Sequence, residues 1–326
     1  MSEQVHNQET VRAEISQIME YITTEFEGAL DYWKTQNNHP ENYFNTGLEK
    51  FDFETLHSEG SELKQKVDRL VVLISQLEFK NIFATNQEFE GRMEHDFACS
   101  FMNPHSDPSV YVDRRDGEHS QNEFDRNQLT KSVKDWREFL TQVYTNGNLR
   151  SNKSGSSHLH VSVKTDAMYS TLTNKAFFDT LCNFLYVFGK MYKTTNAEFY
   201  NRLCGNGEHD NGSYWCLSKF DESAVRAGIT QRTKIGGRSA EDGHPLRYRY
   251  VNYPHALHGT VEIRGLPHFK SEKLCRDMDC VIFAFVETWV DKVQKETKMP
   301  KVRLHAAPTT QRTDRSFSTE TTEMII

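Results

Sequence analysis

The chain has 326 residues, of which 37% are hydrophobic and 26% charged, and its formal net charge is −7. Its mean hydropathy of −0.71 predicts a hydrophilic globular protein with one large domain or two closely packed domains. The acidic balance argues against bulk nucleic-acid binding. No apolar run reaches the ~20 residues of a membrane span, so no membrane partner is expected. The polar N-terminus lacks the apolar core of a signal peptide, which predicts a cytoplasmic location.

Two helical stripes dominate residues 1–85. Apolar residues recur at intervals of three and four over residues 9–35 and again over 63–77, which predicts one helix in each range. The residues between them, 36–60, are rich in Asn, His, Pro and Gly and predict irregular structure. We therefore expect a helical accessory region here, which serves either as an extra layer or as a surface for homo-oligomer formation.

From residue 86 the pattern changes to strand-like runs separated by helical stripes. Strands are predicted at residues 89–99, 110–112, 158–163, 248–252 and 260–264. Helices are predicted at residues 126–145, 172–192 and 273–292, and irregular segments at 102–123 and 204–246. This order favours an α+β fold in which a mostly antiparallel sheet carries helices on one face. The tail, residues 299–326, has no pattern and is expected to be mobile.

The most informative motif is His158-Leu159-His160, which follows a turn rich in Ser, Asn and Gly. Residues i and i+2 of a strand point to the same face, so both imidazoles are predicted on one side of the sheet. Such a pair can ligate a metal or contact a phosphate. By itself the motif also fits a zinc half-site, a nucleic-acid contact or two ordinary sheet residues.

Two other predicted strands carry ionisable pairs on one face. Glu94 and Asp96 are carboxylates that repel one another unless a cation lies between them or both face solvent. Glu262 and Arg264 either neutralise one another as a structural ion pair or divide their roles. In the second case Glu262 binds a metal and Arg264 binds a phosphate or carboxylate, which the planar guanidinium favours.

The residues before the Glu262 strand supply further candidates. Arg247 and Asn252 lie on a strand predicted to pair with it as a hairpin, and both are candidate substrate contacts. The segment 204–246, which includes Arg238, either folds over the site to exclude water or is a mobile surface insertion. Carboxylates, imidazoles and guanidinium groups together suit a nucleoside triphosphate bound through Mg²⁺. Because the sequence has no P-loop pattern, the sheet face is expected to hold the phosphates.

The Glu-x-Asp, His-x-His, Arg-Tyr…Asn and Glu-x-Arg strands, in this order, resemble the amidoligase family of carboxylate–amine ligases related to glutamine synthetase. The similarity covers roughly residues 89–289, with its clearest matches at 154–160 and 259–264. The family usually has Gly-x-Glu-x-Glu in its first strand, whereas here the second acid is Asp96. The resemblance implies a glutamine-synthetase-like antiparallel sheet within residues 86–298, whose concave face holds ATP and Mg²⁺.

The resemblance also implies a role for each matched residue. The implied metal ligands are Glu94, Asp96, His158 and Glu262. The implied nucleotide or phosphate contacts are His160, Arg264, Arg247, Asn252 and Arg238. The implied catalytic groups are Arg264, Arg247 and Glu262.

The implied reaction is ATP-dependent amide formation between a carboxylate and an amine, each a small molecule or a peptide. ATP phosphorylates the carboxylate, and the amine attacks the resulting acyl phosphate. Relatives of glutamine synthetase often form rings, so a homo-oligomer is compatible with the resemblance. Two alternatives remain open from the sequence. One is a metal-dependent hydrolase or nuclease with the same ligands, and the other is a non-catalytic nucleotide-binding or interaction protein on the same scaffold.

Overall fold

The structure is a computed structural model that describes residues 2–38, 51–57, 60–80, 83–94, 103–106, 119–128, 133–146, 156–194, 196–204, 212–269 and 271–296. Its helices are α1 (Ser2–Glu25), α2 (Ala29–Asn38), α3 (Phe53–Leu56), α4 (Glu62–Gln76), α5 (Val133–Asn146), α6 (Asp166–Leu172), α7 (Lys175–Met191), α8 (Ala197–Cys204), α9 (Glu222–Thr230), α10 (His255–His258) and α11 (Glu272–Glu296). Its strands are β1 (Phe83–Glu94), β2 (Asn103–Ser106), β3 (His119–Gln128), β4 (Ser156–Val163), β5 (Gly212–Ser213), β6 (Cys216–Leu217), β7 (Val251–Asn252) and β8 (Val261–Pro267).

A six-stranded sheet forms the centre of the fold, with strand order β2-β3-β1-β4-β8-β7. Each neighbouring pair is antiparallel, and β5 and β6 form a separate antiparallel hairpin. The predicted α+β class with an antiparallel sheet is therefore confirmed. None of the described helices is long and apolar enough to cross a membrane.

The two faces of the central strand β4 differ in chemistry because its sequence alternates. Leu159 and Val161 belong to the hydrophobic core, together with Ile263 of β8 and the apolar helices α7 and α11. His158 and His160 occupy the alternate positions and are also buried. The alternation therefore assigns the apolar side chains to the helix-covered face and both imidazoles to the other face.

The N-terminal helices share this core. Apolar residues of α1 and α4 belong to the same buried cluster as those of α7 and α11. Between α1 and α11, Arg12 donates to Oε1 of Glu287 over 2.9 Å, and the Lys80 backbone N–H donates to Oε2 over 2.7 Å. Burial raises the pKa of Glu287, although these two donors oppose the shift.

One helix predicted over residues 9–35 is two helices in the structure. α1 ends at Glu25 and α2 begins at Ala29. Gly28, between them, has a φ of +80°, a conformation that favours glycine. The apolar stripe continues across the break, which explains why periodicity alone predicts a single helix.

The largest differences from prediction fall in segments without a regular apolar pattern. β3 lies where the sequence predicts irregular structure and the start of a helix, because Phe124 is the one apolar residue in the strand. α5 accordingly begins at Val133 rather than at residue 126. The segment 204–246 contains α9 and the β5–β6 hairpin, which are too short to show a period. The strand predicted at 110–112 and the tail 299–326 lie outside the described residues.

A buried histidine next to α5 gives the fold a predictable pH dependence. Burial lowers the pKa of His268 to about 4, whereas a histidine in an unfolded chain has a pKa of about 6.5. Below that pH the unfolded state binds a proton that the folded state does not, so stability falls as pH drops from about 6.5 to about 4. We expect the free energy of unfolding to be about 2 kcal/mol lower at pH 5 than at pH 7 because of this residue.

Urea unfolding at a series of pH values measures this effect. In the His268→Phe variant, the loss of stability between pH 7 and pH 5 should shrink by that amount. An unchanged pH slope in the variant would show that His268 is not the group responsible.

Candidate functional site

Three neighbouring strands bring a polar cluster together around Glu262. The register pairs Glu262 of β8 with His160 of β4 on one side and with Asn252 of β7 on the other. The β4–β8 register shifts between Ser157 and Leu159, so an irregularity falls at His158. Irregularities of this kind re-aim side chains and are frequent beside active sites.

The Glu262 carboxylate accepts hydrogen bonds from two neighbouring side chains. Its Oε2 accepts from Asn252 Nδ2 over 2.8 Å, and its Oε1 accepts from Arg264 Nη1 over 2.8 Å. Glu262 is only 4% exposed. The ion pair that the Glu-x-Arg motif allows is therefore present, and it holds the carboxylate in one orientation.

Both imidazoles are oriented by hydroxyl groups and turn their other nitrogen toward Glu262. His158 Nε2 lies 2.9 Å from the hydroxyl of Ser156, and His160 Nδ1 lies 2.9 Å from that of Thr260. The opposite nitrogens, His158 Nδ1 and His160 Nε2, lie 3.4 and 3.7 Å from Glu262 Oε1. These separations exceed the ~2.7–3.2 Å of an N–H···O hydrogen bond. The cluster therefore directs two imidazole nitrogens toward one buried carboxylate oxygen.

Two guanidinium groups flank an aromatic ring beside this cluster. Arg247 donates to the Tyr248 hydroxyl over 2.7 Å and its Cζ lies 4.7 Å from the ring centroid. The Cζ of Arg264 lies 5.8 Å from the same centroid. Because Arg264 also binds Glu262, it connects the cluster to Tyr248.

The β1 register brings the backbone of a further acidic residue, Glu88, beside β4. Glu88 pairs with His158, and Glu90 pairs with Ser156. Glu94 pairs with His119 of β3 and lies four residues beyond Glu90, the last β1 residue paired with the described part of β4. Glu88-Phe89-Glu90 has the same i, i+2 spacing as the chosen Glu-x-Asp pair. Because β1 begins at Phe83 rather than at the predicted Phe89, Glu88 lies outside the predicted strand.

Two other predicted site residues are not found in this cluster. Arg238 is exposed, and its Nη1 donates to the Gly243 carbonyl of its own loop over 2.8 Å. Asp96 lies outside the described residues. Among the described side chains, those brought around Glu262 are His158, His160, Asn252 and Arg264.

A buried arginine that is not among the predicted site residues lies in the segment that precedes β7. Arg249 is 1% exposed, donates to Asp221 over 3.0 Å and binds both oxygens of Asp242 at 2.9 and 3.1 Å. Burial alone raises the pKa of Asp242, but hydrogen bonds from Arg249, the His244 backbone and Ser239, with the arginine's charge, bring it down to about 2. The network thus joins the start of α9 and the loop at Asp242 to Arg249, two residues before β7.

No group of three or more His, Cys, Asp or Glu side chains in the described ranges has an arrangement that would hold a metal ion. Comparison with known proteins adds no assignment, because no protein-family model, curated protein or solved structure matches the chain. The resemblance to amidoligases therefore stays a prediction that depends on the strand motifs.

Proposed function

We propose that the protein is an ATP-dependent carboxylate–amine ligase with a glutamine-synthetase-like sheet. The observation that carries this proposal is the buried Glu262 carboxylate, with two oriented imidazoles and a guanidinium on the same sheet face. The order of the motifs along the chain supports it, as does the antiparallel pairing of the strands that carry them. The substrates are a carboxylate and an amine, with ATP as the source of the phosphoryl group.

The donor set is compatible with Mg²⁺ bound together with a nucleotide. Mg²⁺ in such sites takes one or two protein carboxylates plus substrate phosphates and keeps several waters, so three protein ligands are not required. Glu262 supplies one carboxylate. We propose the second from Glu94 or Asp96, as the sequence predicts, or from Glu88, whose backbone pairs with His158. His158 completes the proposed set. The ion supplies charge neutralisation at the triphosphate when it is bound.

The residues of the cluster act on charge and on water in the proposed reaction. A substrate carboxylate oxygen attacks the γ-phosphorus, the bond to ADP breaks, and an acyl phosphate forms. The amine then attacks the acyl carbon, and inorganic phosphate and a proton leave. Arg264 and Arg247 stabilise negative charge on the transferred group. Burial around Glu262 keeps out water, which otherwise hydrolyses the acyl phosphate.

Trapping with hydroxylamine tests the proposal without knowledge of the natural amine. The protein is incubated with ATP, Mg²⁺, hydroxylamine and a panel of amino acids, peptides and di-carboxylates. A ligase converts its carboxylate to a hydroxamate and releases one ADP for each. ADP release that needs neither carboxylate nor amine, or no release with any member of a broad panel, counts against the ligase.

One observation favours a non-catalytic protein as the second candidate. The Glu262–Arg264 contact and the burial of both histidines are also typical of a structural polar cluster. Such a protein binds no MgATP, or binds it without turnover. Isothermal calorimetry with a non-hydrolysable ATP analogue, combined with the trapping assay, separates these cases from a ligase.

A further inference from the structure

An exposed aromatic cluster lies next to the proposed phosphate-binding groups. It consists of Tyr214, Trp215, His244 and Tyr248 and is called the aromatic platform here. The Trp215 ring lies 5.0 Å from the rings of both Tyr214 and Tyr248, and the Tyr214 ring lies 4.8 Å from that of His244. The platform is thus a continuous group of rings.

Local backbone structure holds the platform in place. Tyr214 and Trp215 form the tip of the β5–β6 hairpin. The hairpin is fixed beside β7, because Leu217 N–H donates to the Tyr248 carbonyl over 2.9 Å and Tyr250 N–H donates to the Leu217 carbonyl over 2.7 Å. His244 Nε2 lies 2.6 Å from the Tyr214 carbonyl oxygen. These contacts tie the tip to the strand that leads to Asn252.

The platform presents an open aromatic surface. Trp215 is 49% exposed and Tyr214 is 36% exposed. Both neighbouring rings meet Trp215 edge to face, at interplanar angles of 88° and 76°. Edge-to-face contacts stabilise a ring in one orientation, and Trp215 as a whole remains 49% exposed.

The platform is continuous with the groups assigned to the phosphates. Tyr248 belongs to the platform, and the guanidinium carbons of Arg247 and Arg264 lie 4.7 and 5.8 Å from its ring centroid. Arg264 binds Glu262. An aromatic surface, two cations and the buried carboxylate therefore follow one another from the hairpin tip to the sheet.

We propose that the aromatic platform is the base-binding subsite of the nucleotide, with Trp215 as the stacking surface; this inference depends on the proposed function. Any nucleotide base can stack on an aromatic side chain, because each base has a π-face. An aromatic cluster alone also suits a quaternary ammonium ion. Here the guanidinium of Arg247, which donates to the neutral Tyr248 hydroxyl, repels a cation and attracts phosphates, which favours a nucleotide.

Equilibrium binding of two probes separates the base from the phosphates. The probes are a non-hydrolysable ATP analogue and inorganic tripolyphosphate, each with Mg²⁺. Trp215→Ala should weaken binding of the analogue by about tenfold, a typical loss for one stacked base, and leave tripolyphosphate binding unchanged. Trp215→Phe should keep binding within about threefold, because it retains a ring. Ile229→Ala, which changes an exposed apolar residue outside the platform, is the matched control.

Tryptophan fluorescence gives an independent measurement. The chain has four tryptophans, of which Trp136 is fully buried and Trp33 and Trp289 are half-buried. Adenosine should therefore quench the wild-type signal and leave that of Trp215→Phe unchanged.

The outcomes distinguish this inference from the proposed function. If the wild type binds the analogue and Trp215→Ala binds it equally well, the subsite assignment is overturned and the ligase proposal stands. If Trp215→Ala weakens both probes alike, the residue acts on the fold and the assignment also fails. If the wild type binds neither probe, both proposals fail, and an exposed Trp–Tyr–Arg surface then fits a protein partner better.

Discussion

Glu262→Gln is expected to lower amine-dependent ADP release by at least about 100-fold, the usual cost of removing one electrostatic group from a reaction centre. The substitution keeps the shape of the side chain and an oxygen that can accept from Arg264. It removes the negative charge proposed to bind the Mg²⁺ of the nucleotide. It also turns an amide N–H₂ toward Asn252 or Arg264, which both donate to the carboxylate in the wild type. Steady-state release of ADP and hydroxamate formation measure the effect.

A stability measurement separates loss of chemistry from loss of fold. Mispaired donors in the variant should cost about 1–3 kcal/mol, so the protein remains folded. Glu198→Gln is the matched control, since Glu198 forms an i,i+4 ion pair with Arg202 at 3.2 Å on α8. Near-normal turnover in Glu262→Gln would exclude the proposed role of this carboxylate.

Arg249→Met is expected to lower the free energy of unfolding by about 3–5 kcal/mol, the range found when one member of a buried ion pair is removed. Asp221 then loses its cation while its side chain stays 6% exposed. The same substitution releases Asp242, so the segment before β7 loses both ion pairs that Arg249 makes within it. Urea unfolding at neutral pH measures the loss.

Two companion variants identify the cause. Arg226→Met removes an exposed pair with Glu222, 3.1 Å apart on α9, and should cost at most about 0.5 kcal/mol. Asp221→Asn added to Arg249→Met should restore part of the lost stability, because the buried carboxylate no longer lacks a cation. A loss below about 1 kcal/mol in Arg249→Met would mean that the network contributes little.

The part of the site that follows from strand alternation could be predicted from the sequence. His158 and His160 share a face because Leu159 between them enters the core. Glu262 is predicted on another strand with an ionisable pair on one face, and the β4–β8 register places it beside His160. In these strands the apolar residues face the helices, so the polar ones have a defined side.

Features that depend on register or on loop packing could not be predicted. The pairing of Glu88 with His158 depends on where β1 begins, and polar residues before Phe89 gave no apolar alternation to mark it. Trp215 lies at a two-residue hairpin tip, where no period exists. Its position beside Tyr248 is set by backbone hydrogen bonds between segments about 30 residues apart.

The depth of the Glu262 cluster bears on how fast a ligand can arrive. His158, His160 and Glu262 are 3%, 2% and 4% exposed, so under the proposed function phosphates reach them only after neighbouring side chains move aside. Association through such a step is gated: the observed rate rises with nucleotide concentration and then levels off at the opening rate. In this order of events the base binds first to the exposed aromatic platform, and the phosphates then bind slowly at Glu262.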